Sequence, residues 1–497
     1  MYQSTRGWAQ PATAAQAVIE GIAPDGGLYV PVRIPAIDEG FIKALVGMNY
    51  QDRAKAVLRQ FLADFSESEL EQCLSNAYNS AKFAVESIAP VRLLADGPAL
   101  LELWHGPTAA FKDMALQLLP QLLSVSLAKT GCADRIAILV ATSGDTGKAA
   151  LEGFCDVART EIVVFYPQDG VSQIQRLQMV TQEGKNVSVV AVEGNFDDAQ
   201  TGVKQIFADT ALAADLAKEH IRLSSANSIN WGRLLPQIVY YFSAYADMLK
   251  AGRISSGQPL NFAVPTGNFG NILAAYYAGR MGLPVGRLIC ASNQNNVLTE
   301  FIASGVYDRN RPFHKTLSPS MDILVSSNLE RLLYHLSGED SAKVSSWQAE
   351  LNLTGRYQVD DAVGREVSRR FWADWSDDNA TRAAIRRVYE QHHYLLDPHT
   401  AVAWLAAEHY GQQTGDSTPC VIVATASPFK FADSVIESLT GEAAACADGP
   451  RLLAELADLT GLTVPAPLAA LTDKPVRHGR VCAKTAMRQA VEISLLR

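Results

Sequence analysis

The chain is short of charge and shorter still of positive charge. Charged residues make up 19% of its 497 positions, against a usual share of about 25%. Acidic residues outnumber basic ones by 52 to 43, which leaves a formal charge of −9. No basic field is available to hold a polyanion backbone, so a nucleic-acid partner is excluded. The seven cysteines are scattered, and none forms a CxxC pair. That pattern fits reduced thiols in the cytoplasm rather than a disulfide framework or a zinc site. His392, His393 and His399 lie close together in sequence without any further ligand spacing, so no metal is expected. The longest apolar runs, such as IAILVA at 136–141, are strand-sized. None reaches the ~18 residues that a membrane span needs. The opening MYQSTRGWAQPATAAQ has no charged segment leading into an apolar one, so no secretory leader is expected. No fixed-period repeat or low-complexity tract is visible.

Apolar residues are plentiful, at 48%. At about 150 residues per domain, this length suggests roughly three domains or one elaborated unit. The runs at 136–142, 161–167, 187–194, 260–267, 287–293 and 420–427 are continuously apolar and end in turn residues. Continuous apolarity marks strands buried on both faces of a parallel sheet. Helix-length segments separate them, so the fold class is α/β with open parallel sheets. Ligands of such sheets sit beyond the carboxyl ends of the strands. Residues 1–85 read as an N-terminal subdomain and 86–440 as the main α/β region. Within that region, 328–394 reads as an inserted helical lobe, and 441–497 as a C-terminal extension.

Four segments could carry chemistry. In ELWHGPTAAFKDMALQ (102–117), Lys112 follows a Gly-Pro turn and adjoins Phe111. Desolvation there would lower its pKa toward the neutral amine that a Schiff base needs. An ordinary lysine in the first turn of an amphipathic helix fits the local sequence equally well. In VATSGDTGKAALEG (140–153), a strand, a Gly-containing turn and a helix follow one another, and backbone N–H groups from Ser143 onward can bind an anion. A capped helix start is the alternative. The P-loop reading fails, because two residues rather than four separate Gly144 from Gly147 and Ala149 follows Lys148. In NFAVPTGNFGNILAAYYAGRMG (261–282), Gly267, Asn268, Phe269, Gly270 and Asn271 form a phosphate cradle at a strand's carboxyl end. GxGxxG is absent, so this is not the dinucleotide fingerprint. In VIVATASPFKF (421–431), Thr425 ends the last strong strand, where its hydroxyl could meet a small polar group.

Together these segments resemble the threonine synthases, pyridoxal-phosphate enzymes of fold type II. HGPTAAFKDMALQ is similar to the family's lysine segment, SGDTG at 143–147 to its substrate loop, and PTGNFGN at 265–271 to its cofactor-phosphate loop. YQSTRG, GIAPDGGLYVP, SANSINWGRLLPQ and SPSMDILVSSNLERLL add to the likeness, which runs to about residue 440. The resemblance implies two open parallel-sheet subdomains and a pyridoxal 5'-phosphate cofactor. It implies the last step of threonine biosynthesis, in which O-phospho-L-homoserine and water give L-threonine and phosphate. Lys112 then falls on the Schiff-base lysine, and Gly267, Asn268, Phe269, Gly270 and Asn271 on the cofactor-phosphate loop. Thr425 falls beside the pyridine nitrogen. The substrate carboxylate is assigned to Ser143, Gly144, Asp145 and Thr146 with Thr108, and its phosphate to Lys148, Asn230 and Arg233. Asp145 departs from the wider fold type, where asparagine is frequent at this place. A monomer or homodimer in the cytoplasm is expected, with a small-molecule substrate and no membrane partner. Two other readings stay open: a relative that eliminates phosphate without adding water, and a cofactor-free binding protein.

Overall fold

The computed structural model describes residues 1–95, 97–445 and 448–496. Eleven strands within these residues build two sheets. In chain order they are β1 (Val91–Leu93), β2 (Ala99–Glu102), β3 (Arg135–Ala141), β4 (Thr160–Pro167), β5 (Val187–Glu193), β6 (Ile221–Ser224), β7 (Leu260–Pro265), β8 (Val285–Ser292), β9 (Phe371–Trp375), β10 (Cys420–Ala424) and β11 (Arg480–Ala483). The larger sheet runs β9-β8-β7-β10-β2-β1 and is parallel except for β1. The smaller runs β11-β5-β4-β3-β6 and is wholly parallel. All six apolar runs form strands, three in each sheet. β7 is buried at every position, as a strand covered on both faces must be.

Four helices adjoin the chemistry-bearing segments: α1 (Asp145–Phe154) after β3, α2 (Gln173–Val180) after β4, α3 (Trp231–Lys250) and α4 (Gly270–Met281) after β7. The helix-length segment after β5 forms two helices, because Asp209 ends one and caps the next through Leu212 N–H. No helix among the described residues is long and apolar enough to cross a membrane. Six cysteines are free thiols, and Cys446 lies outside the described residues.

Residues 1–85, expected as a subdomain, share one apolar core with α3 and α4. Tyr2–Ser4 pairs antiparallel with Tyr29–Pro31. Trp231 Nε1 donates to the Tyr2 hydroxyl at 3.0 Å, and Arg53 pairs with Asp247 of α3 at 2.7 Å. The fully buried Arg331 fastens three parts at once. It donates to Tyr29 O at 2.9 Å, to Ile229 O at 2.6 Å and to Asn328 Oδ1 at 2.5 Å. The stretch 328–394, foreseen as an inserted helical lobe, holds helices Leu329–Leu336, Ser341–Thr354, Asp361–Arg370 and Asp378–His392, but it also supplies β9 to the larger sheet. The C-terminal extension likewise gives β11 to the smaller sheet, beside β5. Both are edge strands, partly exposed and without a continuous apolar run.

Gly153 of α1 sets how closely that helix approaches the lysine segment. A Cβ there would lie 1.9 Å from the carbonyl oxygen of Leu116. Backbone cannot yield as a side-chain tip does, so Gly153→Ala should destabilise the protein by about 1–3 kcal/mol. Gly411, also helical, has open space around its Cα. Gly411→Ala should stabilise by about 0.5–1 kcal/mol. Urea unfolding of the two variants checks the contrast.

Candidate active site

The lysine segment is pinned to the strand that carries Thr425. Phe111 N–H donates to Thr425 O at 2.7 Å, Ser427 N–H donates to Ala109 O at 3.0 Å, and Ala110 bridges Ala426. A short helix, Asp113–Leu116, then turns Lys112 into the space between the sheets. Its Nζ donates to Ser320 Oγ at 3.0 Å and lies 3.5 Å from Asp145 Oδ2. Burial pulls the Lys112 amine down to about 8, against the pull of Asp145 and with help from Arg233 and Lys430. About one amine in ten is then neutral at pH 7, against a few in 10⁴ for a free lysine. Lys112 is buried, unlike the solvated lysine of an exposed helix turn.

Asp145 opens α1 behind Gly144, whose φ of 131° suits glycine alone. Its carboxylate divides its partners. Oδ1 accepts from Lys430 Nζ at 2.8 Å and from Gln175 Nε2 at 2.9 Å. Oδ2 accepts from Ser320 Oγ at 3.3 Å. Burial would raise this carboxyl, but Lys430 and Lys112 outweigh it and hold it well below the usual carboxylate range. Thr142 Oγ1 accepts from Gly144 and Gly147 N–H. Among the described residues, the first-turn N–H groups of Asp145 and Thr146 have no acceptor within the protein. Ser143 and Thr146 are half-buried beside them. Thr108 faces inward: its N–H and hydroxyl donate to Asp113 at 2.9 and 2.7 Å, and its carbonyl accepts from Lys430 at 2.9 Å.

The third part is the turn from β7 to α4. Phe269 takes the left-handed conformation at φ 62°, and no side chain caps the helix. N–H groups of Gly270, Asn271 and Ile272 accordingly lack partners among the described residues. Tyr240 and Tyr241 donate to Asn271 Oδ1 at 2.5 and 2.7 Å, which leaves Asn271 Nδ2 buried and unpaired. A Cβ on Gly267 would meet Ser320 O at 2.6 Å, so glycine there admits the turn that carries Ser320. Asn268 is exposed, and its carbonyl is held by Asn328 at 3.0 Å. Gly270 has only ordinary neighbours and stands at the mouth of the cradle.

Among the residues assigned to the substrate phosphate, Arg233 stands apart. It is buried on α3, donates to Ala226 O at 2.5 Å, keeps Nε unpaired and has no carboxylate partner among the described residues. Burial lowers its pKa to about 10. Lys148 is paired with Glu152 at 2.8 Å and also bonded to Gln182. Asn230 caps α3 through Gly232 N–H and donates to Val18 O at 3.0 Å. Both are occupied within the protein, whereas Arg233 is left with charge and a free donor. Thr425 is buried at the end of β10, and Thr400 Oγ1 accepts from its N–H at 3.3 Å.

Sequence reasoning passes over Lys430 and Ser320, and weighs His399 only as a metal ligand. Lys430 is the single charge in the apolar run ASPFKFA, which is the available signal. His399 gives none beyond its helix start. Its Nε2 accepts from Ser320 N–H at 3.2 Å, and its Nδ1 pairs with Asp397 at 2.8 Å, so it braces Ser320 from behind. No group able to hold a metal ion occurs among the described residues.

A cation buried without a partner destabilises the empty protein and welcomes an anion. Arg233→Met should therefore unfold at the same or a higher temperature than the parent without ligand. Inorganic phosphate should raise the parent's unfolding temperature and leave that of the variant nearly unchanged. Thermal scans with and without phosphate check both statements.

The chain matches three family models: "Threonine synthase N terminus" over residues 1–78, "Pyridoxal-phosphate dependent enzyme" over 100–350 and "Threonine synthase, C-terminal" over 400–491. It is 42% identical to threonine synthase of Pseudomonas aeruginosa over 459 residues, which cover 92% of this chain and 93% of that one. It is 44% identical over 435 residues to human threonine synthase-like 1, covering 86% of this chain. The match takes in only 58% of the length of that relative. The solved structure of a PLP-bound threonine synthase from Brucella melitensis superposes with a TM-score of 0.86 at 36% identity, over 99% of each chain. That of yeast threonine synthase gives 0.87 at 33% identity, over 100% of this chain and 98% of that one. The two-sheet architecture is thus fold type II, and the chain belongs to the pyridoxal-phosphate-dependent threonine synthase family.

Proposed function

We propose that the protein is a threonine synthase, a lyase that converts O-phospho-L-homoserine and water to L-threonine and phosphate with pyridoxal 5'-phosphate held at Lys112. The observation that carries this reading is a desolvated amine between two anion cradles, the open N–H groups of α4 and the unpaired Arg233. The residues present fit the cofactor, since the orphaned Asn271 Nδ2 and the uncapped α4 terminus both call for an anion. Against the reading as a binding protein without cofactor stands the match to the pyridoxal-phosphate dependent enzyme model over residues 100–350.

When bound, pyridoxal phosphate supplies the electron sink for chemistry at the substrate's α and β carbons. Gly270 and Asn271 N–H and Asn271 Nδ2 hold its phosphate, while Gly267, Asn268 and Phe269 shape the turn. Thr425 faces the ring nitrogen with a neutral hydroxyl. The Lys112 amine takes the proton from the substrate's Cα and, once that proton has been released to solvent and the amine is neutral again, takes one from Cβ. Asp145 Oδ2 and Ser320 receive the ammonium that results. The N–H groups of Asp145 and Thr146, with Ser143 and Gly144, take the substrate carboxylate. The Asp145 side chain does not take part, because its own charge would repel that group. Thr108 contributes by fixing Asp113 and Lys430. Arg233 takes the substrate phosphate through a forked contact that lysine cannot make. Lys148 and Asn230 line this side in their internal bonds. The net charge of −9 supports the absence of a polyanion partner. The scattered cysteines support a cytoplasmic place, and a monomer or homodimer is expected.

Purified protein incubated with O-phospho-L-homoserine should yield threonine and phosphate in equal amounts. Phosphate without threonine would instead identify an eliminating enzyme that adds no water. Lys112→Ala should keep its circular dichroism, lose borohydride-fixed cofactor and lose turnover.

A hydroxyl at Thr425 contributes about 1 kcal/mol of neutral hydrogen bonding and cannot hold a ring nitrogen protonated as a carboxylate would. Thr425→Asp should deepen the electron sink, lower threonine formation and raise keto-acid release. Product analysis by chromatography on both proteins checks this.

A further inference from the structure

Lys430 has no part in the reaction as proposed, yet it lies fully buried beside the site. It follows β10 of the larger sheet, whereas Asp145 follows β3 of the smaller. Their 2.8 Å ion pair therefore spans the cleft. Lys430 is itself fixed at both ends. Its Nζ donates to Thr108 O at 2.9 Å, and its carbonyl accepts from Ser172 Oγ at 3.1 Å. Ser172 caps α2 in a capping box with Gln175. The same Gln175 side chain gives its Nε2 to Asp145 Oδ1 at 2.9 Å. One carboxylate oxygen is thus saturated by Lys430 and Gln175. The other faces Ser320 and Lys112, at 3.3 and 3.5 Å.

We infer that Lys430 is a positioning residue: it latches Asp145 across the cleft through Oδ1, so that Oδ2 alone faces the Lys112 amine. The inference rests on Lys112 being the cofactor lysine. Without the latch, Gln175 alone would hold Oδ1, the carboxylate's charge would fall to the Lys112 ammonium, and Lys112 would stay charged. The charged groups that face Lys112 are Asp145 from α1, Arg233 from α3 and Lys430. Ser320, backed by His399, is the neutral neighbour. Loss of Lys430 removes one repelling charge and frees one attracting charge, and both changes favour the ammonium. Loss of the Asp145 charge acts in the opposite sense.

The test uses the full-length chain stripped of cofactor. It is mixed with pyridoxal 5'-phosphate across a pH series and trapped with borohydride, and the adduct at Lys112 is counted by peptide mass. In the parent, adduct formation should rise with pH around the amine's value of about 8. Lys430→Met should move that midpoint up by roughly one pH unit, and Asp145→Asn should move it down. Lys430→Arg should stay near the parent. Lys430→Gln, which can keep both hydrogen bonds without the charge, is a gentler variant and should also move up. An ion pair with a merely structural role would lower the unfolding temperature in both charge-removing variants without opposed midpoints, and that result overturns the inference. So does a parent-like midpoint in Lys430→Met or Lys430→Gln. A parent that forms no adduct at Lys112 overturns the functional reading, and this role of Lys430 with it.

Discussion

Asp145 is buried among two ammonium groups, a hydroxyl and an amide, and the rest of the site is arranged around its charge. A lone carboxylate so far from water would protonate. Lys430 and Lys112 prevent this, and with Asp113, which also draws on Lys430, there are two carboxylates for three cations, Arg233 being the third. The cleft is left with an excess of positive charge and with N–H groups that have no acceptor. That imbalance, unfavourable in the empty protein, is what an anionic cofactor and an anionic substrate would relieve. Stability and ligand binding are opposed at these residues, and the large shared core around α3 offsets the difference.

The two-sheet architecture produces this arrangement through connections rather than through the strands themselves. The pairing of 109–111 with 425–427 brings the lysine segment and the end of β10 to one place. The close approach at Gly153 presses α1 against the lysine helix, and the one at Gly267 lets the Ser320 turn reach the amine. Each is a contact between backbone stretches far apart in sequence, made where a side chain would intrude. The Lys112 amine is thus held by tight backbone packing on three sides, while the carboxylate opposite comes from the other sheet.

Much of this is legible in the chain. Six of the strands are, because runs such as β7 and β10 are unbroken and apolar, whereas β2 is buried but only four residues long; the lysine segment and the β7–α4 loop are legible because their motifs are compact. The edge strands β6, β9 and β11 are not, since four or five partly exposed residues give no continuous apolar signal. Lys430 and Ser320 escape because their partners lie in distant segments, and an ion pair across a cleft leaves no spacing to detect. Lys148 reads as a free cation for the substrate phosphate, although Glu152 stands four residues on, the spacing of a helical ion pair. Asn230 carries the opposite lesson. Asn230, read from the sequence as a phosphate contact, also caps α3, a role that Asn just before Trp231-Gly232 could have signalled.

Arg331 bears on how this protein could be taken apart. Its guanidinium holds Tyr29 O of the N-terminal segment, Ile229 O ahead of α3, and Asn328, which in turn grips the carbonyl of Asn268 in the cradle. The first 85 residues are therefore not a portable module appended to a catalytic body. Their backbone ends in the hydrogen-bond chain that shapes the β7–α4 loop. A chimera that exchanged this segment between relatives would have to carry the receiving arginine and its carbonyl acceptors together. The boundary a designer should respect lies around that guanidinium and not at any linker in the sequence.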